Sequence, residues 1–217
     1  MKAHLLQRCW VTFSVYVIGI YASCLNRFII KGSDHIPHCG PVLIASNHIS
    51  GFDTVFLPWA VIKHYPLQML WAPAKEELFE KTFLRLIYTS WGAFPVRRKR
   101  DVRAGRFLND LLFDQKVMLF PEGTRHKDGK LGPGNRGVGK IIYDTRPAVI
   151  PTALIGLNLW KFPGFQQDAQ VVFGAALDFS DLFQREDCKE THLLIVDRVM
   201  QAIAVLLTGE GADCGRK

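Results

Sequence analysis

A chain of 217 residues with 48% hydrophobic and 22% charged residues is sized for one domain with a buried core, or one domain with a short appendage. That composition excludes a disordered or collagen-like polymer. Five scattered cysteines (Cys9, Cys24, Cys39, Cys188, Cys214) without C-x-x-C spacing argue against a disulfide scaffold and a structural zinc site. The net charge of +7 is concentrated in residues 97–106, where six basic side chains stand against one acid. Such a run fits an anionic partner (phosphate, nucleic acid or an acidic membrane surface) or a plain solvated segment.

Taken in chain order, the first element is an uncharged stretch, residues 9–26, roughly 27 Å long as a helix against a bilayer core of about 30 Å. A retained membrane anchor, a cleaved signal and a core helix all compete for it. The anchor is the expected reading, because no clear polar stripe runs along the segment. From about Lys31 short apolar runs alternate with amphipathic stretches. Residues 41–46, 68–71, 93–96, 116–120, 148–150 and 171–173 read as buried strands, and 54–63, 76–90, 102–114, 137–144 and 190–207 as helices. The alternation predicts an α/β fold, with a mixed, largely parallel central sheet flanked by helices. The expected division is a membrane anchor at 1–30 and a single α/β domain at 31–217.

Two blocks carry candidate chemistry. In Asn47-His48-Ile49-Ser50-Gly51-Phe52-Asp53 the histidine follows a strand, and Ser50-Gly51 break the chain before a helix. His48 can therefore fold back on Asp53, whose carboxylate would hold one imidazole nitrogen and leave the other as a base. The alternative is a helix-capping loop without catalysis. His192 and Asp197 share the spacing inside the closing helix, where five residues turn about 140°, so they cannot meet and read as surface or boundary residues. The second block, Phe120-Pro121-Glu122-Gly123-Thr124-Arg125, follows a strand at the sheet edge where α/β ligands bind. Its backbone N–H groups, the Thr124 hydroxyl and the Arg125 fork suit a phosphate, with Glu122 orienting Arg125. A structural salt-bridged turn is the plain alternative.

Other signals are weaker. Residues 132–137 match G-x-G-x-x-G and 134–140 nearly match a P-loop, but no strand precedes them immediately and Ile141 stands where a hydroxyl is needed. No G-x-S-x-G occurs, and no metal-ligand spacing. The remaining histidines, His126 among them, lack an acidic partner at useful spacing. Residues 54–59 and 83–91 are apolar enough to line an acyl-chain groove or simply to pack a core. Residues 160–165 carry aromatics that could dip into lipid headgroups.

In order, these blocks resemble the glycerolipid acyltransferase family typified by lysophosphatidate acyltransferase. Residues 47–53 match its NHxxxxD block, 92–98 its G-x-x-x-x-x-R block, 120–125 its FPEGTR block and 149–151 its late hydrophobic-proline block; the resemblance spans about residues 31–180. It implies His48 as general base, Asp53 as its orienting partner, Arg98 as a phosphate-binding arginine, and Glu122, Gly123, Thr124 and Arg125 as the acceptor-binding block, with Pro151 in the fourth. Arg97 stands where many members carry an acid, which makes the implied pocket more positive, and Asn135-Arg136-Gly137 replaces a common Lys-x-Gly.

The activity so implied is acyl transfer from acyl-CoA or acyl carrier protein to the hydroxyl of a lysophospholipid, lysophosphatidate first, by general-base catalysis without metal or cofactor. Glycerol 3-phosphate or a lyso amino-acid lipid are alternative acceptors, and a non-catalytic phospholipid-binding module is the rival class. Nucleic acid is not expected as a partner, because no aromatic residues interleave with the basic run. Cytosolic donors and unpaired cysteines imply a membrane protein whose domain faces the cytoplasm.

Overall fold

A computed structural model describes residues 3–97 and 102–209 of the chain, with the backbone alone at 102–104. Helix α1 (Leu5–Cys24) leads into seven strands: β1 (Arg27–Lys31), β2 (Val42–Ser46), β3 (Leu70–Lys75), β4 (Ala93–Val96), β5 (Lys116–Leu119), β6 (Ala148–Ile155) and β7 (Asp168–Phe173). Between and after them run α2 (Asp53–His64), α3 (Thr82–Ser90), α4 (Val102–Leu111), α5 (Arg136–Thr145) and α6 (Lys189–Thr208). The strands form one sheet in the order β1-β7-β6-β2-β5-β3-β4. All neighbours are parallel except β6 and β7. The sheet is mixed and largely parallel, with helices on its faces, as the alternation of runs predicts.

The central strands read as continuous apolar runs because both of their faces are covered. Every residue of β2 and β5 is buried, and Ala45 pairs with Leu119 in the parallel register. The chain segments that leave these two strands therefore emerge side by side at the carboxyl edge. Pro151 lies inside β6, buried and level with Ala45. Its carbonyl accepts from the Gly174 N–H at 2.8 Å, just past the last β6–β7 pair at Thr152 and Phe173. The missing proline N–H thus falls where the ladder ends, which is where a strand tolerates it.

Three elements differ from expectation. β1 was not foreseen: five residues flanked by Arg27 and Lys31 give too short a pattern, and the strand exists because β7 offers a parallel partner. The stretch 76–90 splits into one tight turn of helix, Glu76–Phe79, followed by α3. His192 is not a surface or boundary residue, since it is buried at 3% exposure. Its Nε2 pairs with Asp187 Oδ1 at 2.8 Å, and the absent side chain at Gly139 allows α5 to close on its backbone.

Helices α1 and α6 are both long and apolar enough to cross a membrane by length and composition, which supports membrane association. α6 buries a stripe that includes Ile195, Val196, Val199 and Ile203 over the sheet and α5. α1 is less covered. Its inner face (Val11, Val15, Gly19, Ala22) packs on α2, with Gly19 directly against the indole of Trp59.

Candidate active site

The site is built where β2 and β5 end. Two residues beyond β2, His48 Nδ1–H donates to Asp53 Oδ2 at 2.7 Å. The same oxygen accepts from the backbone N–H groups of Ile49 and Ser50, each at 2.7 Å. The two backbone donors make that oxygen an acceptor, so the imidazole partner facing it is the Nδ1–H tautomer, with Nε2 left free of hydrogen. Asp53 opens α2 and is fully buried, where its charge also suits the positive end of the helix. The strand-to-helix break at Ser50-Gly51 is what allows this return.

The loop after β5 completes the frame. Phe120 stacks on the His48 ring with centroids 4.0 Å apart and planes 13° from parallel. Glu122, its side chain at 0% exposure, accepts from the His48 N–H at 3.0 Å through one oxygen. Its other oxygen accepts from the Gly132 N–H at 3.2 Å and faces His126 Nε2 at 3.2 Å. His126 in turn donates its backbone N–H to the His48 carbonyl at 2.8 Å. Glu122 therefore orients the histidine loop and not Arg125, and His126 does have an acidic partner, four residues upstream of it. Asn47 fastens the other side: its amide donates to the Leu154 carbonyl at 2.9 Å and accepts from the Leu154 N–H at 2.7 Å.

Gly123 takes a left-handed φ of 66°, and its N–H closes the turn on the Phe120 carbonyl at 3.0 Å; glycine adopts this conformation without strain. Gly123, Thr124 and Arg125 are exposed. The Arg125 guanidinium lies 3.9 Å from where a side chain on Gly51 would begin. Arg97, just past β4, grips Glu76 through two bonds of 2.7 and 3.1 Å. Arg98 lies outside the described residues, as does part of the basic run. Pro151 is buried in β6 and is not brought into this cluster. The G-x-G-x-x-G stretch is a helix entry: Asn135 caps α5 through the Gly137 N–H at 2.8 Å.

Beside the cluster lies an apolar cavity of about 350 Å³. Gly51 and Thr54 line its near end, and Val15, Pro58, Ile87 and Ala93 line the walls supplied by α1, α2, α3 and β4. Both candidate groove segments contribute to it. Phe120, Asn47 and His126 are the participants that spacing alone missed. Phe120 and Asn47 lay within the quoted blocks, and the signal for His126 was its position four residues after Glu122.

The acyltransferase family model matches residues 27–155. The 1-acyl-sn-glycerol-3-phosphate acyltransferase of Borreliella burgdorferi is 24% identical over 161 residues, which is 71% of this chain and 59% of that protein. LPAT1, the chloroplastic 1-acyl-sn-glycerol-3-phosphate acyltransferase of Arabidopsis thaliana, is 26% identical over 70% of this chain and 41% of its own length. The human 1-acyl-sn-glycerol-3-phosphate acyltransferase alpha is 25% identical over 64% of this chain and 47% of itself. The chain spans about half the length of the curated relatives it matches. The crystal structure of the 1-acyl-sn-glycerophosphate acyltransferase PlsC from Thermotoga maritima shares the fold, with a TM-score of 0.68 at 20% identity, over 95% of this chain and 84% of that one. With more than half of its residues matched by the family model, the chain belongs to the acyltransferase family.

Proposed function

We propose that the chain transfers a fatty acyl group from an acyl thioester, acyl-CoA or acyl carrier protein, to the free hydroxyl of lysophosphatidate. The observation that carries this reading is the His48–Asp53 pair at 2.7 Å beside the near end of an apolar cavity. An oriented imidazole serves proton removal, and the cavity accepts the acyl chain that the reaction moves. The names of the relatives support the acceptor. The exposed Arg125, with Arg98 as a second candidate, supplies charge for the phosphate.

The proposed step balances simply. Nε2 of His48 takes the acceptor hydroxyl proton as that oxygen attacks the thioester carbonyl, and Asp53 stabilises the imidazolium. The tetrahedral intermediate collapses with cleavage of the carbon–sulfur bond, and the imidazolium returns its proton to the departing thiolate. Neither metal nor cofactor takes part in this scheme. A positioned base is worth about 10²–10⁴ in rate. α1 is proposed as the membrane-associated element, within an anchor of residues 1–30, and the α/β domain as facing the cytoplasm, where such donors occur.

The test is thiol release from one labelled acyl thioester in the presence of a mixed lysolipid pool, with the products read by mass spectrometry. His48→Ala should lose at least about 10²-fold in kcat with the fold intact. Near-normal turnover by that variant removes the mechanism, and product formed from a phosphate-free lysolipid alone removes the acceptor assignment.

A further inference from the structure

The loop between β6 and β7 displays apolar surface without covering it. Leu159, Phe162 and Phe165 are 76%, 71% and 65% exposed. These side chains project from a segment whose backbone is tied down at several points. The Tyr21 hydroxyl donates to the Gly164 carbonyl at 2.7 Å and accepts from its N–H at 3.0 Å. The Gln167 side chain accepts from the Lys161 N–H at 2.7 Å and donates to the Lys161 carbonyl at 3.1 Å. Gln166 N–H reaches the Leu25 carbonyl at 2.8 Å. Below the loop, Trp160 is buried at 6% exposure and packs edge-on against Phe56 at 4.7 Å and Phe52 at 6.4 Å. The loop is therefore braced at its backbone while the three apolar side chains stay in the open.

We propose that Leu159, Phe162 and Phe165 insert into one leaflet of an anionic phospholipid membrane and place the active-site mouth at the headgroup plane. This rests on the functional reading above only for its purpose, delivery of a lipid acceptor; the surface itself stands on three other observations. The loop is continuous with the exposed apolar stripe of α1 (Leu6, Trp10, Phe13, Val17, Ile20) through the Tyr21 bonds. It lies beside the mouth, because Asn158 donates to the Lys127 carbonyl at 3.5 Å in the chain that continues from the Glu122 turn, and Trp160 touches Phe52 next to Asp53. The exposed Lys127, Lys130 and Lys161 outnumber the exposed Asp128 among them, leaving a net positive flank of the kind that anionic headgroups attract. Aromatic and aliphatic side chains above a basic margin suit the lipid interface.

The experiment uses the full chain and sedimentation with vesicles of phosphatidylcholine and phosphatidylglycerol. Leu159→Ser/Phe162→Ser/Phe165→Ser should lower the partition by about tenfold or more, while thiol release with a monomeric short-chain acceptor in vesicle-free buffer stays unchanged. Since α1 still contributes binding, a second variant reads the loop alone. Phe162→Trp should gain fluorescence that lipids brominated near the headgroup quench, beyond the quenching of the parent protein. Unchanged partition of the triple variant, or an added tryptophan that bromolipids leave untouched, overturns the proposal. His48→Ala should bind vesicles like the parent, so a failure of the catalytic scheme leaves this measurement readable.

Discussion

Both oxygens of Glu122 are committed to the protein: one to the His48 N–H, the other to the Gly132 N–H and His126. Glu122→Gln keeps one oxygen but sets an amide donor against either the His48 N–H or the Gly132 N–H. One pair must be left unmade in a fully buried site, at a cost of about 1–3 kcal/mol. Urea unfolding should show that loss, and kcat should fall with it, because the same carboxylate fixes the backbone that carries the imidazole proposed as the base. Lys116 gives a prediction of opposite sign. The residue is 5% exposed, and its ammonium has the His38 carbonyl at 2.9 Å and the Tyr65 ring at 5.6 Å. Burial holds its pKa below the ordinary 10.5, a shift that nearby Cys39 partly opposes. Because the folded state disfavours the charged form, the group weakens stability at neutral pH, and the penalty fades as pH rises through the lowered value towards 10.5. Lys116→Met should therefore raise the melting temperature at neutral pH, with the advantage over the parent shrinking under alkaline conditions.

At the scale of elements, the contact between α1 and α2 depends on what Gly19 lacks. A Cβ there would sit 2.2 Å from the Trp59 indole, well inside van der Waals contact. Gly19→Ala should destabilise the fold by about 1–3 kcal/mol in a thermal melt, and an unchanged melting temperature would contradict the close packing of α1 on α2. This contact could not be read from the sequence, since the segment lacks a polar stripe and looks equally ready for lipid. The central strands were legible because β2 and β5 are covered on both faces and so are apolar at every position. The edge strand β1 was not, because its partner arrives 141 residues later (Lys31 with Val172, Arg27 with Asp168). The histidine–aspartate pair was legible because the strand, the break and the helix start are all local. The grip of Glu122 on His48 was not, because it needs the adjacency of β2 and β5, which spacing along one chain does not encode.

Across the whole molecule, that adjacency frames the proposed chemistry and the layers around it set the reach. β2 and β5 bring two turns together at one sheet edge, while α1, α2, α3 and β4 enclose an apolar space that begins at Gly51 and extends towards Ala93 and Trp91. α1 is then a wall of the cavity as well as a candidate membrane element, since Val11, Val15 and Ile18 line it. Bulk added far from the histidine should shorten that space without disturbing the pair. Ala93 supplies a small side chain at the start of β4, only half-buried, and Ala93→Leu adds volume there. If the cavity holds the acyl chain, kcat/KM should fall at least about tenfold for long-chain thioesters, which lose the burial of several methylenes, and stay near the parent value for short ones. An equal loss for every chain length would mean that the variant disturbs the sheet edge and not the cavity. No change for any chain would mean that the acyl chain lies elsewhere, with α1 free to serve the membrane alone.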